Sequence, residues 1–281
     1  MITAAEPILS IQDLNKQFGT GCPRCSSPYD RRLDRNYCPA CGTVYSCQNI
    51  NFDLYPGEVL GIVGESGSGK STLMKCLYFD QDVTGGKAYL SSYKEGTRNL
   101  FEESSQQKRF VRNQLMGKVY QNPVLGLRLN FSSVGNIAEK MIAAGSRNAA
   151  AMEGRGSELL AKVHIPVHRM KEAPQNFSGG MQQRVQIGKA LSNNPPILLL
   201  DEVTTGLDLS VQASVLDLIR HLQRELNISI LLVSHDLGVI RMLADRTLVM
   251  LDGQIVEQGL TDQILEDPQH AYTQQLVHSL L

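Results

Sequence analysis

One segment of the chain combines glycines, a lysine and a hydroxyl in a spacing suited to holding phosphate groups. This segment, Gly64–Ser71, follows a short apolar run and opens a stretch of helical character. Glycines let successive backbone N–H groups point at one anion, and the N-terminus of the following helix adds positive potential. Lys70 brings a charge to the outer phosphates, and Ser71 offers a hydroxyl to Mg²⁺. A glycine-rich turn without a ligand is the alternative, but it leaves Lys70 and Ser71 unexplained. We call Gly64–Ser71 the phosphate loop.

Two carboxylates close an apolar run later in the chain. Ile197–Leu200 is an apolar tetrapeptide, and Asp201 and Glu202 follow it directly. At the carboxyl end of a buried strand, Asp201 can hold a water of the Mg²⁺ shell, and Glu202 can polarise an attacking water. The alternative is a strand end without a chemical role, which the upstream phosphate loop makes the weaker interpretation.

A second candidate anion site lies at residues 177–184, which read FSGGMQQR. Ser178, Gly179 and Gly180 stand at the start of a predicted helix, where free N–H groups favour an anion. Together with the phosphate loop and the carboxylate pair, this segment resembles the signature motif of the ATP-binding cassette (ABC) ATPases. The resemblance covers nearly the whole chain. It implies an α/β ABC-type nucleotide-binding domain with a RecA-like core, an antiparallel β subdomain and an α-helical subdomain.

The resemblance also implies roles for single residues. In the family, the signature meets the γ-phosphate of ATP held by a partner subunit, so two cassettes face each other head to tail. Phe18 matches the aromatic residue against adenine, Gln121 the glutamine that senses Mg²⁺ and water, and His235 the histidine at the γ-phosphate. Asp208 matches the loop that crosses the dimer interface. The implied nucleotide contacts are completed by Gly64, Glu65, Ser66, Gly67, Ser68, Gly69, Lys70, Ser71, Thr72, Asp201, Ser178, Gly179 and Gly180.

Two positions depart from the family pattern. Val203 stands where the family usually has proline after the catalytic glutamate, and Met181 replaces the usual glutamine of the signature. Neither change removes a charge or a phosphate donor, so we expect ATP hydrolysis to be retained. Val203 leaves an additional N–H and a freer φ beside Glu202.

The remaining segments point to a branch of the family. Residues 259–273 resemble the oligopeptide importers, whereas residues 122–145 and the methionine-containing signature resemble the ATP-binding subunit of the carbon–phosphorus lyase system. The second resemblance implies phosphonate catabolism and docking onto a soluble lyase core complex, as a homodimer or with a second ABC subunit. The alternatives are the ATPase of an oligopeptide, nickel or phosphonate importer, and a non-hydrolytic, nucleotide-dependent assembly factor.

Four cysteines form two Cys-Pro-x-Cys knuckles within residues 19–46, which we call the cysteine module. Cys22, Cys25, Cys38 and Cys41 suit tetrahedral Zn²⁺, and metal would supply most of the folding energy of so small a loop. An iron–sulfur or redox centre and unliganded thiols are the alternatives. The charges Asp30, Arg31, Arg32, Asp34 and Arg35 form either a docking face or a solvated loop. Because the module begins just after Phe18, we also expect it to pack beside the base of the nucleotide.

Several elements must position these residues. Strands are predicted near residues 8–14, 48–54, 58–63, 118–121, 197–200 and 228–233, with a hairpin over 247–257 that turns at Asp252-Gly253. Helices are predicted near 71–79, 211–226 with Ser210 as N-cap, 237–245 and 261–280. Residues 122–195 form a predicted helical subdomain with loops at 145–156 and 164–176, and 82–117 is predicted irregular. The whole chain, 1–281, is expected to be one ABC domain.

Composition excludes several classes of protein. Lysine and arginine total 27 and aspartate and glutamate 28, so the net charge of −1 provides no general attraction to nucleic acid. The apolar runs are strand-length, well short of the ~20 residues that span a bilayer. The first residues lack the basic and apolar regions of a signal peptide. We therefore expect a cytoplasmic protein without direct membrane insertion.

Overall fold

The computed structural model describes residues 6–26 and 33–278. Within that part of the chain, two compact units are distinguished. The first comprises residues 6–26, 33–55, 60–103 and 233–278, and the second comprises residues 56–59 and 104–232. The chain thus leaves the first unit twice, briefly between Tyr55 and Leu60 and then for the long segment between Glu103 and Val233.

The first unit contains a three-stranded antiparallel sheet. Its strands are β1 (Leu9–Phe18), β2 (Val44–Leu54) and β4 (Gly85–Leu90), in the order β2-β1-β4. Leu9 pairs with Leu54 on one side and with Leu90 on the other. All three leucines are fully buried. Leu9 and Ile11 of β1 are buried on either side of the less buried Ser10, which accounts for the alternating apolar pattern at the start of the strand.

The other strands of this unit carry the phosphate loop. Strand β3 (Val59–Val63), which the first unit holds from Leu60 onward, runs parallel to β8 (Arg246–Leu251). Strand β9 (Gln254–Leu260) returns antiparallel to β8 across the turn at Asp252 and Gly253, as predicted. The helices of the unit are α1 (Pro23–Ser26), α2 (Lys70–Leu77), α9 (Leu237–Leu243), α10 (Thr261–Glu266) and α11 (Ala271–His278).

The second unit is built on parallel strands surrounded by helices. Strands β5 (Met116–Val119) and β6 (Ile197–Asp201) pair in parallel, and β7 (Ser229–Val233) follows β6 in the strand order. Every residue of these strands is buried, as expected for strands covered on both faces. The helices are α3 (Ser105–Phe110), α4 (Pro123–Gly126), α5 (Ser133–Ala143), α6 (Ala149–Lys162), α7 (Gly179–Ala190) and α8 (Leu209–Leu226).

Two predictions of helix boundaries were wrong. Helix α8 begins at Leu209, so Ser210 lies inside its first turn and Asp208 occupies the N-cap position with extended backbone. The carbonyl of Asp208 accepts the N–H of Gln212 at 2.8 Å, which is the first hydrogen bond of the helix. The helix therefore starts two residues earlier than predicted. The predicted final helix is interrupted between α10 and α11 by Pro268, because the residue before a proline avoids helical geometry. Residues 279 and 280 of that prediction lie outside the described residues.

Two segments predicted as irregular are ordered. Helix α6 occupies most of the predicted loop at 145–156, and the Asn148 side chain caps it by accepting the N–H of Ala151 at 3.1 Å. Within 82–117, the structure forms β4, α3 and a π-helical turn, Val111–Leu115, before β5. Among the described residues, no helix has both the length and the apolar character required to cross a bilayer.

Candidate functional site

The phosphate loop leaves β3 and enters α2 through glycines with positive φ. Gly67 and Gly69 have φ values of 88° and 107°, which favour glycine. At Gly69, moreover, a Cβ would lie 2.0 Å from the carbonyl oxygen of Ser46. The buried Lys70 ammonium donates to the carbonyl oxygens of Gly64 and Glu65, at 2.6 and 2.8 Å. The loop therefore holds its own lysine head group in place.

Glu65, the second residue of the loop, contacts two distant parts of the same unit. Its backbone N–H donates to the Tyr272 hydroxyl on α11 at 2.7 Å. Burial raises the pKa of Tyr272, so this hydroxyl stays protonated at neutral pH. The Glu65 carboxylate pairs with Arg35 of the cysteine module at 3.4 Å, between exposed side chains. Sequence reasoning missed Tyr272, because nothing local links two residues so far apart in the chain.

The predicted carboxylates and glutamine are in the second unit. Asp201 ends β6 and is buried, and Glu202 follows with a φ of 47°. The Gln121 side-chain amide donates to the Glu202 carboxylate at 3.0 Å, and the Thr205 hydroxyl donates to the same oxygen at 3.4 Å. Two residues assigned to water activation from separate motifs are thus in direct contact.

Gln186 on α7 is a further residue that sequence reasoning missed. Its side-chain oxygen accepts the N–H of Tyr120 at 2.5 Å, and its side-chain nitrogen donates to the Tyr120 carbonyl at 3.2 Å. This buried amide therefore fixes the backbone immediately before Gln121. The sequence did offer a signal for Gln186. It is a polar residue on the apolar face of the predicted helix, nine residues after Phe177, and a buried polar side chain needs a hydrogen-bond partner.

The predicted signature segment opens α7, also in the second unit. Ser178 is the N-cap, and its hydroxyl accepts the N–H of Met181 at 3.4 Å. A Cβ on Gly180 would lie 2.3 Å from the Val211 side chain on α8, so only glycine allows this approach of the two helices. The sulfur of Met181 accepts a hydrogen bond from Arg169 at 3.5 Å. Met181, which stands in place of glutamine, is thus in contact with a residue outside the helix.

The predicted nucleotide residues are divided between the two units. Phe18 ends β1, is 39% exposed, and has the Lys16 ammonium 5.0 Å from its ring centroid. His235 is exposed after β7, and the N–H of the preceding Ser234 donates to the Ile62 carbonyl at 3.2 Å. The first unit holds Phe18, Gly64–Thr72 and His235. The second holds Gln121, Ser178, Gly179, Gly180, Asp201, Glu202 and Asp208.

The four module cysteines form a compact cluster in the first unit. The sulfur of Cys22 lies 3.6 Å from that of Cys25 and 3.8 Å from that of Cys38, and Cys25 lies 3.6 Å from Cys41. Four sulfurs bonded tetrahedrally to one zinc at ~2.3 Å would be about 3.8 Å apart. These separations therefore match a single tetrahedral metal and are far too long for disulfide bonds.

The surroundings of the cluster favour the thiolate form at Cys25 but not at Cys38. The Tyr45 hydroxyl lowers the pKa of Cys25 to about 6, whereas burial raises the pKa of Cys38 to about 11. Cys38 is therefore protonated at neutral pH unless a cation lies beside it. Of the predicted charged residues of the module, Asp34 and Arg35 are described, and Asp30, Arg31 and Arg32 lie outside the described residues.

Comparisons with known proteins place the chain in one family. Residues 47–205 match the ABC transporter family. Over 233 residues the chain is 47% identical to the putative phosphonates utilization ATP-binding protein PhnK of Escherichia coli, covering 83% of this chain and 90% of that protein. It is 38% identical to the oligopeptide transport ATP-binding protein OppD of Bacillus subtilis, covering 85% and 67%. Identity to the glutathione import ATP-binding protein GsiA of Shigella boydii is 39%, covering 83% and 39%.

Solved structures confirm the predicted fold class. The ATP-binding cassette MJ0796, in a dimeric structure bound to ADP and Pi, superposes with a TM-score of 0.73 at 24% identity, covering 90% of this chain and 98% of that one. CbiO1 of Clostridium perfringens gives the same TM-score at 23% identity, covering 93% and 91%. The matched family model and the high identity to PhnK together establish that this chain belongs to the ABC transporter ATP-binding family and is an ATPase.

Proposed function

We propose that this chain is the ATP-hydrolysing subunit of a carbon–phosphorus lyase complex in phosphonate catabolism. The observation that carries the proposal is the 47% identity to a phosphonates utilization protein across 90% of that protein's length. The importer subunits are 38–39% identical over a similar share of this chain. ATP turnover would then change the conformation of a soluble lyase core, and the bond between carbon and phosphorus would be cleaved by other subunits.

The proposed chemistry follows from the residue types. Lys70 and the N–H groups of the phosphate loop hold the phosphates, and Phe18 stacks on the base. Glu202 takes the proton of the attacking water, Gln121 orients Glu202 and that water, and His235 contacts the γ-phosphate. Ser178, Gly179 and Gly180 bind the γ-phosphate of ATP held by a second cassette, and Asp208 lies at that dimer interface. This assignment requires a head-to-tail dimer, either of two copies or with a second ABC subunit.

Mg²⁺ fits the oxygen donors among these residues. By their places in the motifs, Ser71 would offer its hydroxyl and Gln121 its side-chain oxygen to the cation, because the Gln121 amide nitrogen is used by Glu202. Asp201 would hold a water of the Mg²⁺ shell. Hard oxygen donors of this kind suit Mg²⁺. The ion neutralises charge on the β- and γ-phosphates when bound.

We also propose a domain organisation and a location. The chain is one ABC domain over residues 1–281, the cysteine module at 19–46 is an insert, and 122–195 is the helical subdomain. Zn²⁺ held by the four module cysteines is structural. The protein works in the cytoplasm, because the proposed lyase core is soluble. No nucleic acid partner is proposed.

A second candidate function is the ATPase of an ABC importer. Its support is the identity to OppD, which spans 85% of this chain. Under that alternative, the partner is a polytopic permease and the ATP chemistry is unchanged.

Affinity capture distinguishes the two functions. Tagged Glu202→Gln protein is purified from its native cells with ATP in mild detergent, so that bound ATP holds a closed dimer, and copurifying proteins are identified by mass spectrometry. The proposal predicts soluble lyase-core subunits in the eluate. A permease in their place contradicts it. The matched control is Lys70→Ala, which is expected not to retain ATP and therefore to lose nucleotide-dependent partners.

A further inference from the structure

In the described part of the cysteine module, residues 19–26 and 33–46, the hydrophobic core is very small. Among the described residues, its buried cluster consists of Cys25, Cys38 and Tyr45, with Cys22 and Leu33 packed against it. One tyrosine and one leucine supply too little apolar surface to order a loop of this length. The order of the module therefore depends on what holds its sulfurs together.

Strand β2 joins this cluster directly to the phosphate loop. Tyr45 is the second residue of β2, and its hydroxyl donates to the carbonyl of Cys25 at 3.3 Å. The carbonyl oxygen of the next residue, Ser46, packs against Gly69. A Cβ added to Gly69 would lie 2.0 Å from this oxygen. Two consecutive residues of one strand thus contact the cysteine cluster and the phosphate loop.

The turn between β8 and β9 is hydrogen-bonded both to β2 and to the phosphate loop. The N–H of Gly253 donates to the Ser68 carbonyl at 2.9 Å, and the N–H of Gln48 donates to the Gly253 carbonyl at 2.7 Å. A Cβ on Gly253 would lie 2.5 Å from the Tyr45 carbonyl oxygen, so the turn fits tightly against β2. A displacement of Tyr45 must therefore move Gly253, Ser68 or both.

An ion pair forms a second and weaker connection. Arg35 of the module reaches Glu65 of the loop at 3.4 Å, but the side chains are 70% and 43% exposed. Exposed pairs of this kind contribute little. The packed backbone contacts of β2 are the main route between the two sites.

We propose that metal binding to the cysteine module sets the affinity of the phosphate loop for ATP, with Tyr45 and Ser46 as the connecting residues. The inference rests on the proposed zinc site and extends it from a structural to a regulatory role. The backbone N–H groups of the loop must keep their directions to bind phosphate oxygens. The backbone at Ser68 and Gly69 is held by the Gly253 N–H, which donates to the Ser68 carbonyl, and by the close Ser46 carbonyl. Loss of metal releases the start of β2, and the loop then spends part of its time misaligned.

Thermodynamic linkage gives this coupling a second signature. If metal tightens ATP binding by a given factor, ATP must tighten metal binding by the same factor. We expect about a tenfold effect, which is within the usual range for coupled sites. The effect of zinc on the Kd for ATP and the effect of ATP on the Kd for zinc are measured independently. Coupling between the sites requires the two fold-changes to agree.

The test uses the full chain. Zinc is removed with a chelator under reducing conditions, Mg²⁺ is restored, and the affinity for a non-hydrolysable ATP analogue is measured by calorimetry before and after addition of one equivalent of zinc. Circular dichroism checks that the helices persist. We expect the Kd for the analogue to rise about tenfold without zinc and to recover with it. An unchanged Kd, with zinc released and rebound, overturns the inference.

Two matched tyrosine variants test the route. Tyr45→Phe removes the hydroxyl that bonds Cys25 but keeps the buried ring, and Tyr37→Phe removes a hydroxyl from an exposed side chain of the same module. We expect Tyr45→Phe to retain one zinc and to weaken analogue binding about threefold, with Tyr37→Phe unchanged. Equal affinities for the two variants and the wild type contradict the route through Tyr45.

The outcomes also separate this inference from the proposed function. Protein that binds ATP tightly but takes up no zinc overturns both the metal site and the coupling, and leaves the ATPase role in place. Protein that binds zinc but no ATP in either form overturns the assignment of the phosphate loop. Independent binding of both ligands overturns the coupling alone.

Discussion

The side-chain amide of Gln121 donates a hydrogen bond to the carboxylate of Glu202 at 3.0 Å, although 81 positions separate them in the chain. The contact occurs where the segment after β5 meets the end of β6, two strands that pair in parallel. Parallel pairing brings the carboxyl ends of both strands to one edge, so residues that follow each strand meet there. In this arrangement Gln121 sets the direction of the carboxylate that we propose as general base.

Glu202→Gln should abolish most ATP hydrolysis without weakening ATP binding. General base catalysis contributes about 10²–10⁴-fold, and the amide cannot accept the proton of water. Steady-state phosphate release and equilibrium ATP binding are the measurements. Glu225→Gln makes the same chemical change at a surface ion pair with Lys162 and should leave both quantities unaltered. Full turnover by Glu202→Gln would remove this residue from the mechanism.

The sequence motifs predicted that Gln121 and Glu202 act together, but they did not predict the contact between Glu65 and Tyr272. Phosphate loop, carboxylates and signature are local patterns, and local patterns also predicted the buried strands and the hairpin at Asp252-Gly253. The hydroxyls of Tyr272 and Tyr45 contact backbone atoms of distant segments, and no spacing or periodicity encodes such contacts. Asn148 is a residue type that favours the N-cap of a helix, so the start of α6 had a local signal. The glycines at 154 and 156 within α6 favoured a loop instead.

Ser178→Asp should separate folding from catalysis. Aspartate is as good an N-cap as serine, so we expect the stability of α7 to be preserved. Its negative charge would repel the γ-phosphate that the signature is proposed to bind, and ATP hydrolysis should fall at least tenfold. Melting temperature and phosphate release are measured together.

Ser132→Asp is the matched control for that experiment. Ser132 caps α5 with the same geometry, accepting the N–H of Gly135 at 3.0 Å, and is not assigned to the nucleotide site. It should leave both melting temperature and hydrolysis close to wild type. Equal losses of hydrolysis in the two variants would contradict the signature assignment.

Gln186→Leu should lower hydrolysis more than ATP binding. The variant removes both hydrogen bonds to Tyr120 and takes this acceptor from its half-buried N–H, at a cost of about 1–3 kcal/mol. The backbone before Gln121 is then less well fixed, so Glu202 loses its orienting contact part of the time. We expect kcat to fall several-fold with the KM for ATP unchanged. A change confined to KM would show that Gln186 acts elsewhere.

Lys140 makes the stability of the second unit depend on pH. Its ammonium is buried, donates to the Met116 carbonyl at 2.9 Å, and has a pKa lowered to about 7, chiefly by desolvation and also by the charges of Lys189 and Arg112. The unfolded chain has the ordinary lysine pKa near 10.4 and binds more protons between pH 7 and 10.4. Stability contributed by this group therefore rises with pH across that window and is flat below it.

Lys140→Met isolates this effect. Urea unfolding of the wild type and the variant at pH 7, 8 and 9 gives a difference in the free energy of unfolding at each pH. We expect the difference to shift in favour of the wild type by up to about 1.4 kcal/mol per pH unit. Parallel pH profiles of the two proteins would contradict the lowered pKa.

The fate of phosphonate inside the cell distinguishes a lyase subunit from an importer subunit. Native cells carrying Glu202→Gln in place of the wild-type residue are given isotopically labelled methylphosphonate as sole phosphorus source, and the label inside the cells is identified. If the chain serves the lyase complex, intact methylphosphonate accumulates inside cells that no longer grow on it, and growth on phosphate is normal. Cells that fail to take up the compound, or that cleave it at the wild-type rate, would contradict the account.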